Sequence, residues 1–136
     1  MDALFDKLSP FFNLAARILM SCIFIASGCE KIASHAGAQR FIQSIGVPGA
    51  LLPLVILVEL GRALALLAGF HTRLAALLLA GFSLLAGTLV HLHRADHENM
   101  IVFMDNLAMV SGLLLFVQYG DGAFSLGRRL KRRLDD

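Results

Sequence analysis

Charged residues are scarce in this sequence. Only 16% of its 136 residues are Asp, Glu, Lys or Arg, whereas 57% are hydrophobic and the mean hydropathy is +0.74. Soluble domains usually contain about 25% charged and about 45–50% apolar residues. Because a helix needs roughly 20 apolar residues to cross a bilayer, four spans with short links would occupy the whole chain. The composition therefore indicates a membrane protein and leaves no room for a separate soluble domain.

Cysteine is rare as well, since the chain contains only Cys22 and Cys29. On one helix these residues lie about 10 Å apart along the axis. A disulfide needs Cα atoms within about 7 Å of each other, so one helix cannot join them. We predict two small, buried and inert thiols.

Several motifs that carry chemistry in other proteins are missing. The sequence has no P-loop, no G-x-G-x-x-G, no nucleophile elbow and no CxxC. His91, His93, His97 and Glu98 are close together, but their spacing matches no strong metal-ligand signature. We interpret them as interfacial residues and predict no metal site.

The apolar residues form four long segments. These segments predict membrane spans at about 11–32, 51–70, 74–92 and 100–117. Pro10 suits the entrance of the first span, because proline is tolerated in the first turn of a helix. The predicted fold is all-α, a polytopic four-transmembrane-helix bundle that forms a single domain over residues 1–136.

Two shorter segments are predicted to lie at the membrane surface. Phe41 and Ile45 are four residues apart among polar neighbours, which indicates a short interfacial helix after the first span and a candidate lid. The basic tail at 120–136 has its leucines on one helical stripe, at Leu126, Leu130 and Leu134. This pattern predicts an amphipathic helix on an anionic membrane surface, and we expect no nucleic-acid partner.

The distribution of cations predicts the orientation in the membrane. Four spans place both termini on one side, together with Lys7, Arg73 and the five cations of the tail. The other side holds Lys31, Arg40 and Arg94. Because cytoplasmic loops are enriched in Lys and Arg, we expect both termini in the cytoplasm.

Polar residues inside the spans are the candidate site. A charge at the centre of a membrane helix costs roughly 2.5–3.5 kcal/mol on insertion scales, so such residues usually face the protein interior. The depth of each residue in the membrane follows from the helical rise of about 1.5 Å per residue. By this count, polar residues from all four spans lie in the non-cytoplasmic half of the membrane: Lys31, Glu59, Arg62, His91, Asp105 and Asn106. Arg17 lies nearer the cytoplasmic side. The group predicts an outward-opening polar pocket, and the alternative is structural ion pairing of Glu59 with Arg62 and of Lys31 with Asp105.

Helical spacing also predicts which faces are buried. On the first span one stripe should face the bundle, and it contains Asn13, Arg17, Ser21, Phe24, Gly28 and Lys31. On the second span, Gly61, Ala65 and Gly69 recur every four residues. Small residues at this spacing allow close helix contact, which offers a surface for a homodimer.

The order of these motifs resembles the DoxX family of small bacterial inner-membrane proteins. The similarity extends over about Leu14 to Val117 and includes Ser27 to Lys31, Gly46 to Pro48, and Gly69 to Ala75. The family-like positions are Arg17, Gly28, Lys31, Glu59, Arg73, His91 and Asn106, whereas Glu30 and Asp105 are less typical. The branch that it resembles is named for quinol oxidase subunits, and the family name comes from a subunit of a thiosulfate:quinone oxidoreductase. The resemblance implies a four-helix bundle in the bacterial inner membrane with a redox connection.

Two functions follow from these residues. The first is a redox-linked subunit that binds a quinone or quinol, with Glu59, His91 and Asp105 as catalytic proton carriers. Its ligand-binding residues would be Arg17, Lys31, Arg62 and Asn106, and separate oxidoreductase subunits would carry the electrons. The second is a non-enzymatic protein: a binder or transporter of a small molecule or anion, or a scaffold for a redox complex.

Overall fold

The computed structural model describes residues 1–93 and 97–136, without the side chains of His97 and Asn99. Within these ranges the chain forms six α-helices: α1 (Asp2–Ala33), α2 (His35–Ser44), α3 (Leu52–Ala68), α4 (Thr72–His93), α5 (His97–Tyr119) and α6 (Leu126–Asp135). A single 3-10 turn at Gly49–Leu51 leads into α3, and the described part of the chain contains no strand. The predicted all-α fold is confirmed. Arg94 and the imidazole of His97, which enter the orientation and metal arguments, lie outside the described residues.

Four of the helical segments are long and apolar enough to cross a membrane. Within the described residues these are Asp2–Ala33, Gly49–Ala68, Thr72–His93 and Met100–Tyr119. They confirm the predicted four spans. The shorter helices α2 and α6 occupy the positions predicted for the interfacial helix and the basic tail helix.

The start of α1 differs from the prediction. The helix begins at Asp2, so Pro10 lies inside it and not at its entrance. Asp2 in the first turn favours a helix start, because its carboxylate interacts with the positive end of the helix dipole. Inside the helix, Pro10 has no N–H to donate to the carbonyl of Asp6, and its ring crowds that same carbonyl.

The predicted buried stripe on α1 is confirmed in its central part. Arg17, Ser21, Phe24 and Gly28 are the buried residues of this helix, at spacings of four, three and four. A Cβ built on Gly28 would lie 2.6 Å from the side chain of Leu60. The missing side chain of Gly28 therefore allows α1 to approach α3 closely.

The cysteine prediction is wrong about burial. Cys22 and Cys29 are free, as expected, but both are exposed. Each follows a residue of the buried stripe, Ser21 or Gly28, by one position. Because one residue turns a helix by about 100°, the two thiols point away from the α3 contact.

The small residues of α3 do not form one close-contact face. Gly61 is exposed, and a Cβ built on it would have no neighbour within 4 Å. Gly69 instead ends α3 with a positive φ of 72°, a conformation that glycine adopts readily. Within this chain Gly61 has space for a larger residue, whereas Gly69 is required by the turn, and a homodimer contact through Gly61 stays a prediction.

The apolar core lies toward one end of the bundle. The buried hydrophobic cluster contains Phe24, Ala63, Leu66, Ala75, Ala76, Leu79, Ala80, Leu113 and Phe116. On α3, α4 and α5 these residues lie mainly in the halves nearest the 69–71 turn and Tyr119. We call this end, which also holds Met1 and α6, the proximal end. The opposite end, where α1 meets α2 and where α3 begins, is the distal end.

Candidate functional site

The distal end of the α1–α3 contact holds a buried ion pair. Lys31 Nζ donates to Glu59 Oε2 at 2.7 Å and to Ser27 Oγ at 2.7 Å. The side chain of Glu59 is 3% exposed and that of Lys31 is 23% exposed. We call Ser27, Lys31 and Glu59 the distal polar cluster. Its carboxylate is enclosed by protein, whereas its ammonium group is partly accessible.

The helices bring these three residues together by register. Ser27 and Lys31 are four apart on α1, so they share a face. Glu59 lies on the buried face of α3 with Ala63 and Leu66. Lys31 therefore has Glu59 as its carboxylate partner, in place of the Lys31–Asp105 pair considered from sequence.

Arg62 is near this cluster but is not bonded to it. It lies three residues after Glu59 on α3 and is half-buried. No ion pair joins it to Glu59, and it makes no hydrogen bond with any residue that the structure describes. The Glu59–Arg62 pair considered from sequence does not form, and the guanidinium group has no partner among the described residues.

The α4–α5 contact contributes a histidine to the distal end. His91 lies in the last turn of α4, and its ring stacks on Phe103 of α5 with centroids 4.7 Å apart. His91 Nδ1 is buried and has no hydrogen-bond partner among the described residues. A buried ring nitrogen without a partner is unfavourable unless a ligand or water satisfies it.

Asn106 and Asp105 are adjacent on α5 but have different surroundings. Asn106 packs against α4, since a Cβ built on Gly87 would lie 2.9 Å from Asn106 Cβ. Its amide donates to Val102 O at 2.8 Å within α5. Asp105 is exposed and is off the face that α5 turns toward α4. Asp105 is therefore separate from the groups that meet between the helices.

Four of the six predicted distal residues thus form two groups. Lys31 and Glu59 bond to each other across α1 and α3, whereas His91 and Asn106 lie in the α4–α5 contact. Within the described part of the chain, no hydrogen bond connects the two groups. The antiparallel helices place both groups toward the distal end.

Arg17 lies at the proximal end and has a different environment. It is fully buried on α1. Its guanidinium donates to Leu67 O at 3.1 Å, to Leu66 O at 3.5 Å and to Phe124 O. Asn13 Oδ1 accepts from Arg17 Nε at 3.1 Å. Arg17 therefore joins the end of α3 to the link before α6, and all three of its guanidinium nitrogens already have acceptors.

Sequence reasoning missed two contributors to these sites. Ser27 is recoverable from its i, i+4 spacing to Lys31, a signal that was present in the sequence. Phe103 has no such signal, because its stacking on His91 depends on the rotation of α5 against α4. Asn13 was placed on the correct stripe, but its role depends on the tail, since Gly122 N–H donates to Asn13 Oδ1 at 2.9 Å.

A bundle of four apolar helices with a buried ion pair across two of them is an integral membrane protein. The family model of DoxX matches residues 12–92, and the chain belongs to the DoxX family. It is 46% identical to the inner membrane protein YqjF of Escherichia coli K12, over 93% of this chain and 98% of that protein. It is 34% identical to the inner membrane protein YphA of the same organism, over 92% of this chain and 94% of that protein. No solved structure matches it.

Proposed function

We propose that this protein is a redox-linked subunit of the bacterial inner membrane that binds a quinone or quinol at the distal end of its bundle. The names of the two Escherichia coli relatives support the inner membrane as its location. The observation that carries the proposal is the distal polar cluster, in which the buried carboxylate of Glu59 accepts from Lys31 at 2.7 Å. The apolar surroundings suit the ring and tail of a quinone, and the cluster suits its oxygen atoms.

Lys31 is the proposed hydrogen-bond donor to a quinone carbonyl. An ammonium group has three N–H donors. Two of them are directed to Ser27 and Glu59. With the side chain 23% exposed, the third donor can reach a ligand that enters from the distal end.

Glu59 and His91 are the proposed proton acceptors. Oxidation of a quinol to a quinone releases two protons and two electrons. Glu59 is an enclosed carboxylate, and His91 offers a ring nitrogen without a partner among the described residues. The electrons would pass to an oxidoreductase subunit that associates with this protein.

Glu59→Gln tests the proposal. The substitution keeps the side-chain shape but removes the charge that orients Lys31, so we expect affinity for a short-chain ubiquinone analogue to fall about tenfold. Binding would be measured by equilibrium dialysis of the radiolabelled analogue against protein in lipid nanodiscs. Glu30→Gln is the matched control, because Glu30 is exposed on the same turn of α1 as Lys31.

The two outcomes separate a ligand site from a structural ion pair. Loss of binding in Glu59→Gln with full binding in Glu30→Gln supports the ligand site. Absence of quinone binding by the wild-type protein, combined with a lower melting temperature of Glu59→Gln, means that the ion pair only fixes helix register.

A second candidate function is the binding or transport of a small anion. Arg62 favours it, since a half-buried cation without a partner among the described residues attracts an anion. Thiosulfate is a suitable probe in the same nanodiscs. This function predicts that Arg62→Gln abolishes thiosulfate binding, whereas the quinone proposal predicts no thiosulfate binding by the wild type.

A further inference from the structure

The proximal end contains a cleft that is separate from the proposed quinone site. The cleft has a volume of about 940 Å³ and lies between the 69–74 segment and α6. A volume of this size is typical of sites for small molecules. One wall is formed by the turn between α3 and α4, and the other by the basic tail helix.

Both walls of the cleft carry cations. Arg73 lies on the α4 side, and Arg128, Lys131 and Arg132 lie on the α6 side. None of these four side chains forms an ion pair with a described residue. Among the described residues the one salt bridge is Lys31–Glu59, at the other end of the bundle. The acidic residues of the lining are Asp121 and Asp135, and Asp121 already accepts a hydrogen bond from Ser125. The cleft therefore has an excess of positive charge.

The same cleft is lined by large apolar side chains. Phe70, Leu74 and Leu130 are 39%, 50% and 41% exposed. Cations next to exposed apolar side chains fit a ligand with an anionic head and a hydrocarbon tail. A small hydrophilic anion would leave these apolar side chains uncovered.

Thr72 places a hydroxyl group without a described partner at the wall of the cleft. Thr72 lines the cleft and is only 3% exposed. Its Oγ1 has no hydrogen-bond partner among the described residues. Buried hydroxyl groups usually have a partner, and a ligand in the cleft is one source of an acceptor.

The two walls are held together at their base. Gly127 N–H donates to Gly69 O at 3.0 Å, and a Cβ built on Gly127 would lie 2.9 Å from that same oxygen. Ser125 caps α6 by accepting from Arg128 N–H at 3.2 Å. The Gly127–Gly69 hydrogen bond therefore holds the start of α6 against the α3–α4 turn and sets one end of the cleft.

We propose that this cleft binds the phosphodiester headgroup of one anionic phospholipid, with its acyl chains beside Phe70 and Leu74. The cations of Arg73, Arg128 and Lys131 would surround the phosphate. This inference is independent of the quinone proposal, because the two sites lie at opposite ends of the bundle.

A pair of double variants with equal charge tests the proposal. Arg128→Gln with Lys131→Gln removes two cations that line the cleft, and Arg129→Gln with Arg133→Gln removes two cations of α6 that do not line it. Native mass spectrometry of the full chain in detergent, titrated with phosphatidylglycerol, would measure the fraction of protein that retains one lipid molecule. All four side chains are exposed, so both double variants should fold, and far-UV circular dichroism melts would check this.

We expect the cleft variant to need about tenfold more phosphatidylglycerol for half-saturation, with the control variant close to the wild type. Zwitterionic phosphatidylcholine should not compete. An equal loss of phosphatidylglycerol binding in both variants would show that binding depends only on the total charge of the tail, and it would overturn the proposal. Displacement of the lipid by millimolar inorganic phosphate would do the same, because it would identify a phosphate site and not a lipid site.

Discussion

Arg17 and Glu59 show how surroundings decide the role of a charge in a membrane span. Both are buried, but Arg17 is surrounded by backbone carbonyl oxygens, whereas Glu59 faces a partly accessible lysine. The bonds of Arg17 satisfy carbonyl groups at the C-terminal end of α3, where a cation also interacts favourably with the helix dipole. Arg17 is a structural connection, and Glu59 is a candidate for chemistry.

At the residue scale, Arg17→Met should destabilise the protein. Leu66, Leu67 and Phe124 would lose a charged donor to their carbonyl oxygens, so we expect the free energy of unfolding to fall by about 2–4 kcal/mol. Unfolding of the purified protein in detergent, followed by far-UV circular dichroism, measures this. Arg62→Met is the control, and its effect should stay below about 1 kcal/mol, because Arg62 bonds to none of the described residues. Equal destabilisation by the two substitutions would show that the hydrogen bonds of Arg17 to α3 and to the tail do not stabilise the fold.

At the scale of elements, the junction between α3, α4 and α6 depends on one glycine. Gly69 ends α3, and its carbonyl accepts the hydrogen bond from Gly127 at the start of α6. A Cβ built on Gly69 would lie 2.5 Å from Ser125 Cβ and 2.6 Å from Arg17 Nη1. The positive φ and the lack of space both require glycine at this position.

Gly69→Ala and Gly61→Ala form a matched pair for this junction. Gly69→Ala should lower the unfolding free energy by more than the roughly 1 kcal/mol cost of the left-handed conformation alone, because α6 must also shift. Gly61→Ala should be neutral or stabilise α3 by about 0.5–1 kcal/mol, because its surroundings are open. Limited proteolysis of the tail would report the release of α6. Resistance of the tail in Gly69→Ala would show that α6 does not depend on this turn.

At the scale of the whole molecule, the two ends of the bundle differ in charge and packing. The proximal end holds the apolar core, the basic helix α6 and Arg17. The distal end holds the Lys31–Glu59 pair and His91. We propose that the proximal end faces the cytoplasm, because the tail cations lie there.

Reporter fusions test this orientation. A fluorescent protein that matures only in the cytoplasm should fluoresce when fused after Asp136, and alkaline phosphatase, which is active only outside the cytoplasm, should be inactive there. Phosphatase inserted after Gly37 of α2 should be active, and Gly37 has open space around it. Strong phosphatase activity of the C-terminal fusion would reverse the proposed topology.

The buried face of α1 was predictable, because the period of a helix relates Arg17, Ser21, Phe24 and Gly28 within one segment. The partner of Lys31 was not predictable. Its choice between Glu59 and Asp105 depends on how α1 rotates and slides against α3 and α5, which no local pattern records. The same limit explains why the prediction that Cys22 and Cys29 are buried was wrong. Burial depends on the neighbouring helix as well as on residue type.

Composition and periodicity alone establish four membrane spans, two amphipathic flanking helices and a set of buried polar residues, because apolar length and helical spacing are properties of a continuous segment. Helix packing establishes the rest. It pairs Lys31 with Glu59, turns Asp105 outward and connects Arg17 to the tail, because residues far apart in sequence meet only once the register between helices is set.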